Sequence, residues 1–399
     1  MTNALWLVKL AYTCKLNEGL MKTPPLIWTN ILLFTLTSVI AAVAVPWYAI
    51  TYGFSWTEIT VAVLCLGYCG MSITAGYHRL WAHKTYDAHP ILQVLYAIGG
   101  AFALQNSALH WASDHRVHHR HVDDNDKDPY SAGRGFWYSH IGWMLRDYQA
   151  NSYADYSNVK DLQKNRIVMW QHKHYVSLAI ITNFGIPLLF GIITGHVLGM
   201  LILAGVLRLV LSHHFTFFIN SLAHIWGNQP YTDKNSARDN GVLAFFTYGE
   251  GYHNFHHIFE YDYRNGIKWY QFDPTKWFIK AASWIGLTSK LRTCPQERIE
   301  QAKLQMQLSR LQQKVKHLPD AEQILQTLEQ EYNLLITRLQ DYYQVKKELL
   351  QRKKQQLVEQ YSQCEFKQRY SEFKQHLYLQ RQQWAQLTAH YSKYTAANI

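Results

Sequence analysis

Hydrophobic residues are concentrated in four long stretches of the chain that contain few charged residues. A helix needs roughly 20 consecutive, mostly apolar residues to cross the hydrocarbon core of a bilayer, and each stretch reaches that length. Short loops join the first stretch to the second and the third to the fourth, which indicates two helical hairpins. We therefore predict transmembrane helices at about residues 28–48, 57–77, 175–195 and 196–220.

A fifth apolar run, at residues 91–109, is of a different kind. It contains Gln93, Gln105 and Asn106, whose side chains are costly to place in hydrocarbon. A fifth crossing would also separate the histidine-rich motifs before the run from those after it onto opposite membrane faces. We therefore predict an interfacial or buried helix here rather than a span.

Four crossings place residues 79–174, the chain after residue 219 and both termini on one side of the membrane. That side carries nearly all lysines and arginines, so the positive-inside rule makes it cytoplasmic. We predict an N-terminal cytoplasmic segment at residues 1–24, a membrane domain with a cytoplasmic helical cap at 25–290, and a C-terminal extension at 291–399.

The tail from about residue 296 onward is rich in Gln, Lys, Glu and Leu, and its apolar positions alternate by four and three. Pro319 and Asp320 interrupt this pattern with a helix-start signal. Sustained heptads predict a coiled-coil hairpin or an oligomerising arm, with a single long helix as the alternative. The predicted fold class is an all-α membrane protein: four transmembrane helices, a cytoplasmic helical cap and a coiled-coil-like helical tail. The apolar positions that alternate in this way form the predicted heptad seam of the tail: Leu304, Leu308, Leu311, Val315, Leu318, Leu325, Leu328, Tyr332, Leu335, Leu339 and Tyr342.

The composition agrees with a chain that is partly embedded and partly polar. Hydrophobic residues make up 48% of the 399 residues, yet the mean hydropathy is only -0.23. The formal net charge of +11 suits an anionic membrane face or an anionic substrate. No pattern typical of nucleic-acid binding occurs, and the five cysteines do not have the density of a disulfide scaffold.

Four short motifs concentrate histidine. They are HRLWAH from His78 to His83, HRVHH from His115, NSLAH ending at His224, and HNFHH from His253. On a helix, residues three and four apart lie on one face, so each H-x-x-H-H motif can direct three imidazoles at one point. The wider spacing of HRLWAH suits a metal only at a helix end or bend, which is expected just after the second span.

The number and type of these side chains restrict which metal the site can bind. Imidazole suits zinc, copper, iron and nickel, but a structural zinc closes with four ligands and usually includes cysteine. Nine histidines without cysteine suit two six-coordinate metals better, and the Glu-x-x-His pairs of soluble di-iron bundles do not occur. We predict a dinuclear, redox-active iron site at one membrane face, with nearby carboxylates orienting the rings. The candidate carboxylates are Asp114, Asp126, Asp128, Glu250 and Asp262.

In the order and spacing of these motifs, the chain resembles the integral-membrane acyl-CoA desaturases of the stearoyl-CoA, delta-9 type. The resemblance covers residues 25–287 and rests on the runs TAGYHRLWAHKTY, DHRVHHRHVDDNDKDPY, NSLAHIWG and GEGYHNFHHIFEYDY. It implies an enzyme that inserts a cis double bond into a saturated acyl chain and consumes O2 and two electrons.

The resemblance also implies how two Fe ions divide the ligands. Because the reacting C–H bonds are too strong for acid–base chemistry, no catalytic residue separate from the metal centre is expected. One iron would take His78, His83, His115, His119 and His256. The other would take His118, His224, His253 and His257, with Asn220 holding a water.

For the substrate, the resemblance implies a bent apolar tunnel between the spans. Gly70 and Leu66 would line its closed end, where the small Gly70 leaves room, and Asn106, Trp111 and Thr216 would contact the acyl chain.

Two departures from the family pattern concern the acyl carrier. Ser113 stands where the family has a basic residue that contacts CoA, and Asp147 follows Arg146 where a lysine is expected. Acyl-CoA is the first expectation, and a carrier-protein or phospholipid acyl chain stays open.

Electrons are expected from a separate donor of the ferredoxin or cytochrome b5 type and its reductase. The membrane would be a bacterial inner membrane or, in a eukaryote, the endoplasmic reticulum. The alternatives are a membrane fatty acid or alkane hydroxylase, and a non-catalytic metal-binding scaffold whose tail recruits partners.

Overall fold

The computed structural model describes residues 24–148, 154–355 and 360–393. The predicted N-terminal segment therefore lies outside the described residues, apart from its last position. The described chain is mostly helical, with one short two-stranded sheet, so the predicted all-α class is confirmed. It forms two compact units, of which unit 1 holds residues 24–82 and 90–222 and unit 2 holds residues 83–89 and 223–393.

The elements follow the predicted pattern with more interruptions than the hydropathy suggested. The first half contains α1 Trp28–Thr51, α2 Trp56–Met71, β1 Asp87–Ala88, α3 Pro90–Ala103, α4 Ala108–His121, α5 Phe136–His140, α6 Lys160–Gln163, α7 Arg166–Lys173, α8 Tyr175–Ile180, α9 Ile186–Thr194, α10 Val197–Met200 and α11 Arg208–Asn220. The second half contains α12 Leu222–Ile225, α13 Gly241–Phe246, α14 His253–Ile258, α15 Pro274–Trp284, β2 Thr288–Ser289, α16 Gln296–Val315, α17 Ala321–Gln355 and α18 Gln360–Tyr391. Single 3-10 turns lie at Ala132–Arg134, Gly142–Met144 and Ser157–Val159.

Four helical segments in the described chain are long and apolar enough to cross a membrane, which confirms the predicted number of spans. Wide π-helical turns at Ser72–Ala82, Ile181–Gly185 and Leu201–Leu207 continue three of the helices without ending them. The second span therefore ends directly before His83, at the helix end where the prediction placed that residue. The spans are Trp28–Thr51, Trp56–Ala82, Tyr175–Thr194 and Val197–Ile225.

The first hairpin is closed by a buried carboxylate. Ser55 caps α2, and its side chain and backbone amide both bond to Glu58 in a reciprocal capping box. The hydroxyl of Tyr48 in α1 donates to the same carboxylate at 2.9 Å. The carboxylate therefore has partners on both helices, which offsets the cost of burying it.

Helix α3, in the fifth apolar run, is too short to count among the candidate spans, because 14 residues extend only about 21 Å. It packs closely on the π-helical end of the second span. A Cβ atom at Gly99 would lie 2.0 Å from the Ser72 hydroxyl, and one at Gly100 would lie 2.2 Å from the Tyr77 ring. The two glycines therefore set how closely these helices approach.

A buried arginine ties three helical segments of unit 1 together. The Arg208 guanidinium donates to the carbonyl of Phe102 at 2.7 Å and to the side chain of Asn183 at 2.9 Å. It also lies 3.7 Å from the centroid of the Phe102 ring. An arginine at such a depth is tolerated only when its donors are satisfied, so Arg208 joins α11 to α3 and to the third span.

In unit 2, the tail forms three helices, α16, α17 and α18, that pack against one another. This arrangement replaces the single long helix considered as an alternative, because the chain turns between Val315 and Ala321. The predicted seam residues supply most of its core, whereas a coiled coil between chains stays a prediction. The buried core residues are Leu308, Leu311, Val315, Leu328, Leu335, Leu339, Leu377 and Trp384.

We predict that Leu335→Ala destabilises the tail by about 2–5 kcal/mol, because it leaves a cavity in this core. The neighbouring Leu334 is 40% exposed, so Leu334→Ala should change stability by no more than about 0.5 kcal/mol. Limited proteolysis of the full chain across a urea series measures both. Equal urea midpoints for the two variants would contradict the packing described here.

Candidate metal centre

Unit 1 contributes four buried or half-buried histidines that lie close together. His78 lies in the π-helical end of the second span, and His115, His118 and His119 lie on α4. The ring centroids of His78 and His115 are 4.7 Å apart, as are those of His115 and His119. The i, i+4 pair His115 and His119 therefore lies together beside His78, whereas His118 belongs to a different group of candidate ligand atoms, so the motif does not direct all three imidazoles at one point as predicted.

The second ring nitrogen of two of these histidines is held by a neighbouring side chain. Nδ1 of His118 lies 2.9 Å and 3.0 Å from the two carboxylate oxygens of Asp128. Nδ1 of His115 lies 3.2 Å from the hydroxyl of Tyr130. The Asp128 carboxylate is itself held in place, since it accepts hydrogen bonds from the backbone amides of Asp123 and Tyr130. Such contacts orient a ring and leave Nε2 for a metal.

Unit 2 contributes the remaining histidines of the motifs. Nε2 of His253 lies 3.1 Å from Nε2 of His224 and 3.0 Å from Nε2 of His257. Neutral imidazoles this close would repel through their lone pairs unless a proton or a cation lay between them. The arrangement therefore fits a shared metal ion, and the Nδ1 atom of His224 is held at 2.7 Å by the Ser236 hydroxyl.

His83 and His256 form a second pair in unit 2. Their ring centroids are 4.6 Å apart, and Nδ1 of His83 lies 3.7 Å from the Glu260 carboxylate. Glu260 was not among the predicted carboxylates. Of those that were, Asp128 contacts a candidate ligand, Asp262 pairs with Arg264, and Asp114 lies 3.4 Å from His110.

The histidine clusters are compatible with metal binding, because candidate ligand atoms within each unit lie within 4.8 Å of one another. This holds for His78, His115 and His119 in unit 1. It also holds in unit 2, for the pair His83 and His256 and for the group of His224, His253 and His257.

The residues between the histidines of HNFHH have roles that the motif alone did not reveal. The Asn254 amide accepts from the backbone of Tyr231 at 2.9 Å and donates to the carbonyls of Thr232 and Ala237. The Phe255 backbone amide donates to Asp239 at 3.0 Å. Burial raises the pKa of the Asp239 carboxyl to about 7, although the backbone amides of Asn254 and Phe255 favour its charged form. Helix α14 is thus held on two sides.

The predicted substrate residues all lie in unit 1. Leu66 and Gly70 are half-buried on one face of α2, and the Trp111 ring stacks on His115 with centroids 4.8 Å apart. Asn106 adopts a φ of 72° between α3 and α4. Thr216 on α11 accepts from Gln105 at 2.8 Å. Asn220, the predicted water-holding residue, is the last residue of α11.

Other histidines have ordinary packing contacts. Nε2 of His213 lies 3.1 Å from the carbonyl of Ala103. His140 lies 3.0 Å from both His214 and Ser221, and burial lowers the pKa of His140 to about 4, so its ring is neutral at physiological pH. These contacts give His213 and His140 a role in packing.

Comparison with known proteins gives a consistent assignment. The sequence model of the family described as fatty acid desaturase matches residues 54–283. A probable acyl-CoA desaturase of Schizosaccharomyces pombe is 47% identical over 245 residues, which cover 61% of this chain and 51% of the relative. Stearoyl-CoA desaturase 5 of Bos taurus is 34% identical over 285 residues, covering 70% and 83%.

A third relative has a different substrate in its name. The sn-2 palmitoyl-lipid 9-desaturase of a Nostoc species is 34% identical over 281 residues, which cover 68% of this chain and 93% of the relative. The chain spans about half the length of the two yeast acyl-CoA desaturases that it matches. The family match covers more than half of the chain and includes every histidine motif, so the chain belongs to the fatty acid desaturase family.

Proposed function

We propose that this protein is an integral membrane, oxygen-dependent acyl desaturase that inserts a cis double bond into a saturated chain, of the delta-9 type. The observation that carries the proposal is the convergence of ring nitrogens in the histidine clusters of a chain with four candidate spans. Family membership supports it. Metal-binding histidines beside spans of this length suit an oxidation performed on a lipid chain.

We assign the histidines to two iron ions. The clusters that lie together within each unit support this assignment, as does the absence of cysteine from the motifs. The first iron would be held by His78, His83, His115, His119 and His256. The second would be held by His118, His224, His253 and His257, with Asn220 acting through a water molecule.

When bound, the two irons would supply the activation of O2 and the oxidising power that unactivated C–H bonds require. The protein's own residues then have to position and orient. Asp128, Ser236 and Tyr130 hold the ligand rings in one orientation. Trp111 covers His115, and Gln105 fixes the hydroxyl of Thr216, so an acyl chain at these residues meets a rigid wall.

Acyl-CoA is the proposed substrate, but at Ser113 this chain departs from the family pattern of a basic residue that contacts CoA. The Ser113 hydroxyl donates to the Asn158 amide oxygen at 2.8 Å, and the Asn158 amide donates back to the Ser113 carbonyl at 2.9 Å. This neutral pair provides no cation for a phosphate. A phospholipid or carrier-protein acyl chain is the alternative, and the relatives' names include both CoA and lipid substrates.

The proposed partners follow from the same reaction. A separate electron donor of the ferredoxin or cytochrome b5 type, with its reductase, would deliver two electrons per double bond. We propose that the histidine clusters and both termini face the cytoplasm, as the distribution of basic residues indicates.

We predict that His256→Ala abolishes desaturation and lowers the iron content, because it removes one imidazole from the proposed centre. His317→Ala, which changes an exposed histidine of the tail, is the control and should retain both. Iron analysis of purified protein and fatty-acid profiles from a desaturase-deficient host measure the two properties. Full activity in His256→Ala would refute the proposed metal site. If the wild-type protein produced hydroxy acids without any alkene, the enzyme would be a hydroxylase instead.

We predict that Asp128→Asn weakens iron binding by about 10–100-fold, because the amide no longer accepts a hydrogen bond from His118 as a carboxylate does. Asp126→Asn, in the same loop but exposed, is the matched control and should bind iron like the unchanged protein. Competition with a calibrated chelator gives both affinities. Identical affinities would exclude Asp128 from the support of the metal centre.

We predict that Gly70→Leu shortens the longest acyl chain that is accepted, with a loss of about tenfold or more in turnover for each excluded methylene. Gly67→Leu is the control on the same helix, because a Cβ at Gly67 has no atom within 4 Å. Turnover measured over a series of acyl-CoA lengths distinguishes them. A uniform loss at all lengths in Gly70→Leu would contradict a role at the closed end of a tunnel.

A further inference from the structure

The C-terminal tail begins after the part of the chain that matches the family model. Its first helix, α16, nevertheless shares a buried hydrophobic cluster with α14, the helix of the HNFHH motif. The family match ends at residue 283, and α16 starts at Gln296. Ile299, in the first turn of α16, is 0% exposed and packs in one cluster with Tyr231, Phe255 and Phe259. This cluster is separate from the core that the tail helices form among themselves.

Two members of this cluster are interleaved with candidate ligands. Phe255 lies between His253 and His256, and Phe259 follows His257 by two residues. The rings of Phe255 and Phe259 are 5.0 Å apart, and the Tyr231 ring lies 5.3 Å from that of Phe255. The segment that carries three of the candidate imidazoles therefore also carries two rings of this cluster.

Helix α14 depends on such packing because it is only six residues long. Isolated helices shorter than about 12 residues are marginal in water, so tertiary contacts decide whether α14 forms and how it is turned. Metal ligands must keep their positions within about 0.5 Å, which places a strict demand on those contacts. Ile299 is the fully buried aliphatic member of this cluster, and the partly buried Ile258 and Ile267 pack against it as well.

Three further contacts hold α16 to the same region. The Lys303 ammonium lies 5.2 Å from the centroid of the Tyr231 ring, and Nη2 of Arg310 donates to the carbonyl of Gln229 at 2.6 Å. Before the helix, the backbone amide of Cys294 donates to Asp262 at 2.8 Å. The attachment therefore extends from the residues before α16 to Arg310, and the position of α16 is determined independently of Ile299.

The opposite side of α16 is held by the rest of the tail. Leu308, Leu311 and Val315 are buried against α17 and α18. The Trp384 indole of α18 donates to the side chain of Gln307 at 2.9 Å. Helix α16 is thus clamped between the tail bundle on one side and the histidine-bearing core on the other.

We propose that α16 is a positioning element of the metal centre and that Ile299 is its main positioning residue. Through the cluster that contains Ile299, Phe255 and Phe259, α16 holds α14 so that His253, His256 and His257 keep their geometry. The inference rests on the proposed function for the identity of the metal. It extends that function by giving the C-terminal tail a role in metal retention.

The test compares Ile299→Ala with Leu328→Ala in the full-length protein. Both side chains are 0% exposed and aliphatic, but Leu328 lies in the core of the tail bundle. We expect iron to be extracted by a chelator about tenfold faster from Ile299→Ala, with an altered optical or Mössbauer spectrum of the remaining iron. Leu328→Ala should keep the rate and spectrum of the unchanged protein, and Ile299→Val should restore most of both.

The possible results distinguish a failure of the positioning role of Ile299 from a failure of the proposed desaturase function. Equal extraction rates and spectra in Ile299→Ala and the unchanged protein would overturn the positioning role and leave the desaturase proposal intact. A matching loss in Leu328→Ala would also overturn it, because the effect would then follow general destabilisation of the tail. Should Ile299→Ala not be recovered, Ile299→Thr takes its place, because threonine has the shape of valine but buries a hydroxyl in the apolar cluster; an extraction rate equal to that of Ile299→Val would then overturn the inference. If the wild-type protein bound no iron, the proposed function itself would be refuted.

Discussion

The histidine ring presents two nitrogens, and a metal centre built from histidine depends on what holds the nitrogen that does not face the metal. In this chain that role is divided among different kinds of side chain. Asp128 holds His118, Ser236 holds His224 and Tyr130 contacts His115. The three partners lie outside the motifs, 10 to 15 residues after the histidines they contact, so the orientation of the rings depends on the conformation of the loops that follow the motifs. A carboxylate partner also raises the basicity of its imidazole, which a hydroxyl does less strongly.

Irregular turns in the membrane helices also affect where the histidines lie. The second span widens into π-helical turns where His78 lies, and it ends directly before His83. A regular helix would separate these two residues by more than a third of a turn, since five residues correspond to about 500° of rotation. Close packing at Gly99 and Gly100 and the three-way attachment of Arg208 hold the widened segment and its neighbours in place.

Much of this organisation is predictable from sequence, for definite physical reasons. Span length is imposed by bilayer thickness, and the H-x-x-H-H spacing is imposed by the helical repeat, so four spans and the histidine clusters follow directly from pattern. The partners of the histidines do not follow in this way. Glu260 and Ser236 show no periodicity, and their contacts depend on loop conformation. Asn254 looks like a spacer in HNFHH, yet its side chain holds the loop of residues 231–237 through hydrogen bonds at both ends of the amide.

The tail shows a further limit of reading domains from composition. The change to a Gln-, Lys- and Leu-rich sequence near residue 296 looks like a boundary, and the heptad pattern beyond it concerns the tail core alone. Ile299 lies before the predicted seam and is a single apolar position among polar neighbours, so no pattern assigns it a partner. It is buried in one cluster with Phe255 and Phe259, which are close in sequence to the candidate ligands His256 and His257. A composition boundary therefore falls within a packed core, and the helix beyond it belongs energetically to the histidine-bearing segment before it.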